Sequence, residues 1–391
     1  MRSNFDKVID RSGTSAEKVE GLKHIWGRTD LIPLWVADMD FATAPFVTDA
    51  IRKRCENEVL GYTGKPDSYY NAIINWVKQR YDLVVAKEMI NFVPGIVPGI
   101  GMAMNCFTQK GDKVMIQPPV YHPFAWVTTR NERTLVTNPL KWENGMYRMD
   151  LDTFREQIKG CKLFILCNPH NPGGVVWTEA ELRAIADICY DEKVLVFSDE
   201  IHADLTLPPH THRPFATVSE KARMNSVTFM SPSKAFNMPG LSASHALIFN
   251  EDLRKRFRIY MDAGELDMGH VFAFLSVEAA YSHGTEWLDQ CLAYIQGNID
   301  FVDDFLKNHA PKIKAIRPEA SYLVWLDCRE LKLSQKDLNE FFVDKAHLAL
   351  NDGEMFGKEG IGFMRLNVAS PRCIIEKAMK QLADAYQLYI K

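Results

Sequence analysis

Nowhere in this chain do about 18 uncharged apolar residues run together, so no stretch reads as a membrane span. Neither sign of charge dominates. The 46 lysines and arginines face 50 acids, and the net charge is −4. That leaves no basic stripe for nucleic acid or an anionic membrane surface. The first residues, MRSNFDKVID, lack the apolar run of a signal peptide. Cysteine is present at eight positions (55, 106, 161, 167, 189, 291, 328 and 373), yet no two form a CxxC pair. Most lie in apolar contexts such as LFILCN and ADICY. They read as buried free thiols in a reducing compartment, not as a disulfide framework, which points to a soluble cytoplasmic protein. Internal repeats and low-complexity linkers are also missing.

What is present is length and apolar content. With 391 residues, 47% of them hydrophobic, the chain can bury two or three domain cores. Its middle alternates short apolar runs with helical patterns. KVMIQPP (113–119), KLFILCN (162–168), VLVFSDE (194–200), SVTFMS (226–231) and HALIFN (245–250) predict strands. TEAELRAIADICYDEK (178–193) predicts a helix, opened by a capping box between Thr178 and Glu181. Strand–helix–strand units of this kind predict an α/β fold: a mostly parallel sheet, seven-stranded by the resemblance below, between helices. From about residue 285 the texture changes to a long amphipathic pattern (286–309), strand signals in IKAIRPEASYLVWLD, and a closing helix near 373–389. The expected division is an N-terminal segment, 1–45, packing with the small domain; a large domain, 46–284; and a small α+β domain, 285–391.

In a parallel sheet, ligands collect beyond the carboxyl ends of the strands. The chemistry-bearing residues fall there. Asn171 lies in CNPHNPGG, Asp199 ends VLVFSD, Lys234 sits in SPSKAFNMPG, and Tyr121 in PPVYHPF. PGIVPGIGMA (94–103) is a glycine-rich turn entering a helix, and a helix N-terminus attracts anions. Each has an ordinary reading taken singly: a surface lysine, a cap, a turn asparagine, a core tyrosine. Together they suit one chemistry. A lysine amine condenses with an aldehyde. Pyridoxal 5'-phosphate supplies an aldehyde, a phosphate and a ring nitrogen that draws electrons only when protonated. Asp199 can keep that proton on, Asn171 can bond the ring hydroxyl, and Tyr121 can stack on the ring. The amides of Ile96 and Val97 and the hydroxyls of Ser231 and Ser233 can hold the phosphate; Pro98 has no N–H to give.

At these motifs the chain resembles the class I/II aminotransferase superfamily of fold type I pyridoxal phosphate enzymes. The resemblance runs from about residue 30 to the end. LWVADMDF (34–41), GYTG (61–64), SDEIHADL (198–205), SKAFNMPGL (233–241) and RLNVASPR (365–372) are similar to the MalY/PatB branch of cystathionine and cysteine-conjugate β-lyases. The resemblance implies that Lys234 is the Schiff-base lysine and proton shuttle. Tyr62 would reach the phosphate of a neighbouring subunit in a homodimer with shared sites. Arg365 would hold the substrate α-carboxylate, and Trp35, Val36 and Ala37 would line the substrate pocket with Asn171. His202 stands where many aminotransferases have tyrosine, Ser242 where a phosphate-binding arginine is usual, and Gly173 where threonine or valine is usual.

The reaction implied is β-elimination. Lys234 takes the Cα proton, Tyr121 assists near the leaving group, and an S-substituted cysteine yields pyruvate, ammonia and a thiol. An aminotransferase and a non-catalytic pyridoxal phosphate-binding regulatory protein are the alternatives. His210 and His212 near His202 raise a metal site, but the clustered cysteine or carboxylate partners of zinc are missing, and no metal is expected.

Overall fold

The structure is a computed structural model that describes residues 3–390. Seven strands form the large sheet: β1 (Ile90–Val93), β2 (Lys113–Ile116), β3 (Thr134–Thr137), β4 (Cys161–Cys167), β5 (Leu195–Asp199), β6 (Ser226–Met230) and β7 (Ser244–Leu247). Their spatial order is β1-β7-β6-β5-β4-β2-β3. Side chains alternate across β4 with the period of two that a strand dictates. Leu163 and Ile165 join one apolar layer with Ile100 and Phe197, while Phe164 and Leu166 join the other with Ile185 and Phe154. Both faces are therefore covered, which is why these strands read as unbroken apolar runs.

The expected capping box is present: Glu181 donates its amide to the Thr178 hydroxyl at 3.2 Å and accepts the Thr178 amide at 2.8 Å. One strand departs from the parallel pattern. β7 runs antiparallel to both β1 and β6. The 231–243 loop carries no crossover helix, so the chain re-enters the sheet from the same end of the strands that it left.

The remaining elements include a four-stranded antiparallel sheet, β8 (Lys314–Ile316), β9 (Leu323–Asp327), β10 (Asn351–Asp352) and β11 (Phe363–Asn367), in the order β8-β9-β11-β10. Two long helices accompany it, Thr285–His309 and Arg372–Ile390. The N-terminal segment joins this part of the chain: Ile32 and Pro33 pair in parallel with Leu348 and Ala349. Five cysteines are buried, Cys106 is half-buried, and Cys55 and Cys373 are exposed; all eight are free. The expectation of buried thiols thus fails at the two on exposed helix faces. No helix of the described residues is long and apolar enough to cross a membrane.

Candidate active site

The carboxyl ends of β1, β2, β4, β5 and β6 surround one cavity of about 210 Å³. Lys234 lies in the loop after β6, where its neighbours build the turn. Ser231 gives its hydroxyl proton to the Ala243 carbonyl at 2.7 Å and accepts the Ser233 amide at 3.1 Å. Ser231, three residues before the lysine, is thus a brace behind the wall, and only Ser233 of the pair faces the cavity. The Lys234 ammonium donates to the Ala37 carbonyl at 2.6 Å, which also accepts the Tyr322 hydroxyl at 2.9 Å. Burial, and then the Arg365 charge, hold the amine at about 8.

The electrostatics of the walls are unbalanced in a specific way. Asp199 is 4% exposed and pushed up to about 7 by burial. It accepts the Ile201 amide at 3.1 Å, and no lysine or arginine among the described residues pairs with it. His202 is held down at about 3 by burial and by the Lys234 and Arg365 charges, so its imidazole is neutral, and its Nδ1 is buried without a partner. Asn171 accepts from Arg365 Nη1 at 3.0 Å, which leaves its NH₂ to offer. Arg365, on β11, is 4% exposed and also donates to the Trp35 carbonyl and to Asn351. Its guanidinium lies 4.8 Å from the Phe356 ring centre, its Nε is buried and unbonded, and no acid among the described residues pairs with it. Burial pulls it down to about 10. A buried guanidinium without a counter-charge is costly unless a ligand brings one.

At the far end of the cavity, Gly95, Ile96 and Val97 open the helix Ile96–Phe107. Their amides have no acceptor within the helix, whose dipole is positive at that end. The hydroxyl residues Ser233, Ser242 and Ser244 share the wall. Pyridoxal 5'-phosphate fits this set. Its ring nitrogen would supply the cation Asp199 lacks, its phosphate would meet the amides and hydroxyls, and its aldehyde would meet the one amine on the wall. A substrate carboxylate would then supply the anion Arg365 lacks.

Lys234, Asp199, Asn171, Tyr121, His202, Ile96, Val97, Ser233 and Ala37 therefore share one cavity. Val36 stays off its wall because Asn367 holds the Val36 carbonyl at 2.7 Å, and Trp35 is drawn instead to the Lys18 carbonyl at 3.0 Å. Tyr62 is elsewhere: it is 98% exposed and borders a separate hollow with residues 267–271. Cys167, Ile201, Ser242 and Ser244 also line the wall without having been expected there. Ser244 is the most legible of them, since it opens the strand that follows the lysine loop. The glycine at 173 has a packing reason: a Cβ there would lie 2.8 Å from Tyr147 and 2.9 Å from His170.

Residues 29–382 match the family model for aminotransferase class I and II. Cystathionine β-lyase PatB of Bacillus subtilis (strain 168) is 38% identical over 384 residues, covering 98% of this chain and 99% of PatB. The MalY protein of Escherichia coli (strain K12) is 31% identical, covering 98% of each chain. The crystal structure of cystalysin from Treponema denticola, which contains a pyridoxal 5'-phosphate cofactor, superposes with a TM-score of 0.96 at 33% identity, covering all of both chains.

Proposed function

This chain belongs to the class I and II aminotransferase family, and from that premise we propose that it is a pyridoxal phosphate-dependent carbon–sulfur β-lyase. Its substrate is cystathionine or another S-substituted cysteine, and water and that substrate give pyruvate, ammonia and a thiol. The observation that carries an enzymatic reading is Arg365: a buried guanidinium that no acid among the described residues pairs with, one hydrogen bond from Asn171 on the cavity wall. A protein that only stored the cofactor would have no use for it. The likeness to PatB, a cystathionine β-lyase by name, favours lyase chemistry over amino transfer.

When bound, pyridoxal phosphate supplies an aldehyde that condenses with amines and a protonated ring that stores the electron pair left at Cα. The protein's residues do the rest. Arg365 fixes the α-carboxylate with a planar fork of donors, so Cα is presented in one orientation. Lys234, poised at about 8, is partly neutral near that pH and can take the Cα proton. Asp199 would hold the ring nitrogen, and the neutral His202 and Asn171 would hold the ring hydroxyl. Tyr121, on the cavity wall, would stack on the ring; burial keeps its hydroxyl protonated. Loss of the sulfur as thiolate would use the electron pair that proton transfer to Lys234 leaves at Cα.

The same reading makes the protein a cytoplasmic homodimer. Val59, Leu60 and Tyr62 are 71%, 60% and 98% exposed on one loop, an apolar edge that a second copy would cover, bringing Tyr62 to the neighbour's phosphate. Incubation with cystathionine and a panel of S-substituted cysteines, with and without a keto acid, tests the activity. Equimolar pyruvate and thiol are expected; keto-acid-dependent amino transfer with no pyruvate would contradict the proposal.

A further inference from the structure

Lysine is almost never fully buried unless it is paired. Lys18, on the helix Glu17–Trp26, is 0% exposed. Its ammonium lies 2.8 Å from Asp40 and 3.6 Å from Asp38. Arg11 closes the arrangement, forking onto both oxygens of Asp38 and donating to Asp40 at 3.1 Å. Two cations and two carboxylates thus meet with no net charge, all four at or below 23% side-chain exposure. The family match starts at residue 29, so Arg11 and Lys18 lie outside it.

The clamped segment is the one that touches the reactive amine. Asp38 follows Ala37, whose carbonyl accepts Lys234. Three further ties hold that segment. Asn367 donates to the Val36 and Asp38 carbonyls, each at 2.7 Å. Asn237 accepts the Met39 amide and donates to the Phe41 carbonyl. Trp35 is bonded to Lys18 and packs on Gly21, where a Cβ would come within 3.1 Å of the indole. The charges that act on Lys234 are Arg365, Asp38 and Asp199. Of these, only Asp38 has its charge balanced by side chains outside the cavity.

We propose that Arg11 and Lys18 are positioning residues for Lys234: with Asp38 and Asp40 they fix the carbonyl on which the amine docks and set the negative charge the amine faces. This rests on the reading of Lys234 as the reactive amine. A merely structural clamp would not govern proton affinity at Lys234; a charge clamp must. Lys18→Met leaves the cluster with one uncompensated negative charge. With Lys18 gone, less of the Asp38 charge is offset, and the proton affinity of the amine that faces Asp38 should rise.

The test is trace acetylation of the full-length protein, freed of cofactor, across pH, with the Lys234 peptide quantified by mass spectrometry. Wild type should inflect near 8. K18M should inflect at a higher pH. R11M, which removes the more exposed cation, should shift the same way and carries the test if K18M does not fold. The neutral pairing K18M/D40N should return to the wild-type value. Folded single variants with unmoved inflections, or a folded double variant that stays displaced, would overturn the proposal. Failure of wild type to form a coloured complex with pyridoxal phosphate would instead sink the reading of Lys234 itself.

Discussion

Asp199→Asn separates what burial costs the protein from what the ring nitrogen returns. Burial raises the Asp199 carboxyl from 3.8 to about 7. Three pH units at roughly 1.4 kcal/mol each make about 4 kcal/mol. A carboxyl whose folded value is raised binds its proton more tightly when folded. Its contribution to stability is complete below 3.8 and is lost as pH climbs through 7. Between pH 5 and pH 8 the loss is about 2.5 kcal/mol. An asparagine cannot ionise and so loses nothing over that interval. In urea unfolding of cofactor-free protein, wild type should therefore lose about 2.5 kcal/mol more than D199N between pH 5 and pH 8. Saturating pyridoxal phosphate should reverse the order, because only the carboxylate gains an ion pair with the ring. Parallel stability–pH curves for the two cofactor-free proteins would refute the claim that Asp199 is buried with its charge unmatched.

Arg365→Met should lower kcat/KM for S-substituted cysteines by about 10²- to 10³-fold, the usual result of truncating one partner of a desolvated charge pair. R365K should recover only part of it, having no planar fork. Tyr62→Ala should weaken cofactor retention. If sites are shared between subunits, mixing Y62A with K234A chains and refolding them together should restore pyruvate release that neither variant shows alone. A mixture as inactive as its components would confine Tyr62 to its own subunit.

Much of the site was legible because its scaffold is short and buried. β4, β5 and β6 are so strongly apolar that their ends could be placed to within a residue or two, and the chemistry of Asp199, Asn171 and Lys234 stands at those ends. What escaped depends on information a linear reading does not hold. The direction of a side chain in a tight turn separates Ser231 from Ser233, and a distant asparagine turns Val36 away from the wall. The helix Val271–His283 is apolar on nearly every side, so no 3.6-residue stripe marks it out. The antiparallel β7 lies in a short apolar run, HALIFN, like those of the parallel strands; only the absence of a crossover helix in 231–243 tells them apart. Arg11 and Lys18 carry no motif, and their importance emerges only when the fold brings them beneath Asp38 and Asp40.

The most direct test is chemical trapping. Purified protein supplemented with pyridoxal phosphate is reduced with borohydride, digested and mapped by mass spectrometry. The account predicts a yellow protein whose colour is lost on reduction and one pyridoxyl group, on the Lys234 side chain. A colourless protein, or a label residing on any other lysine, would contradict it.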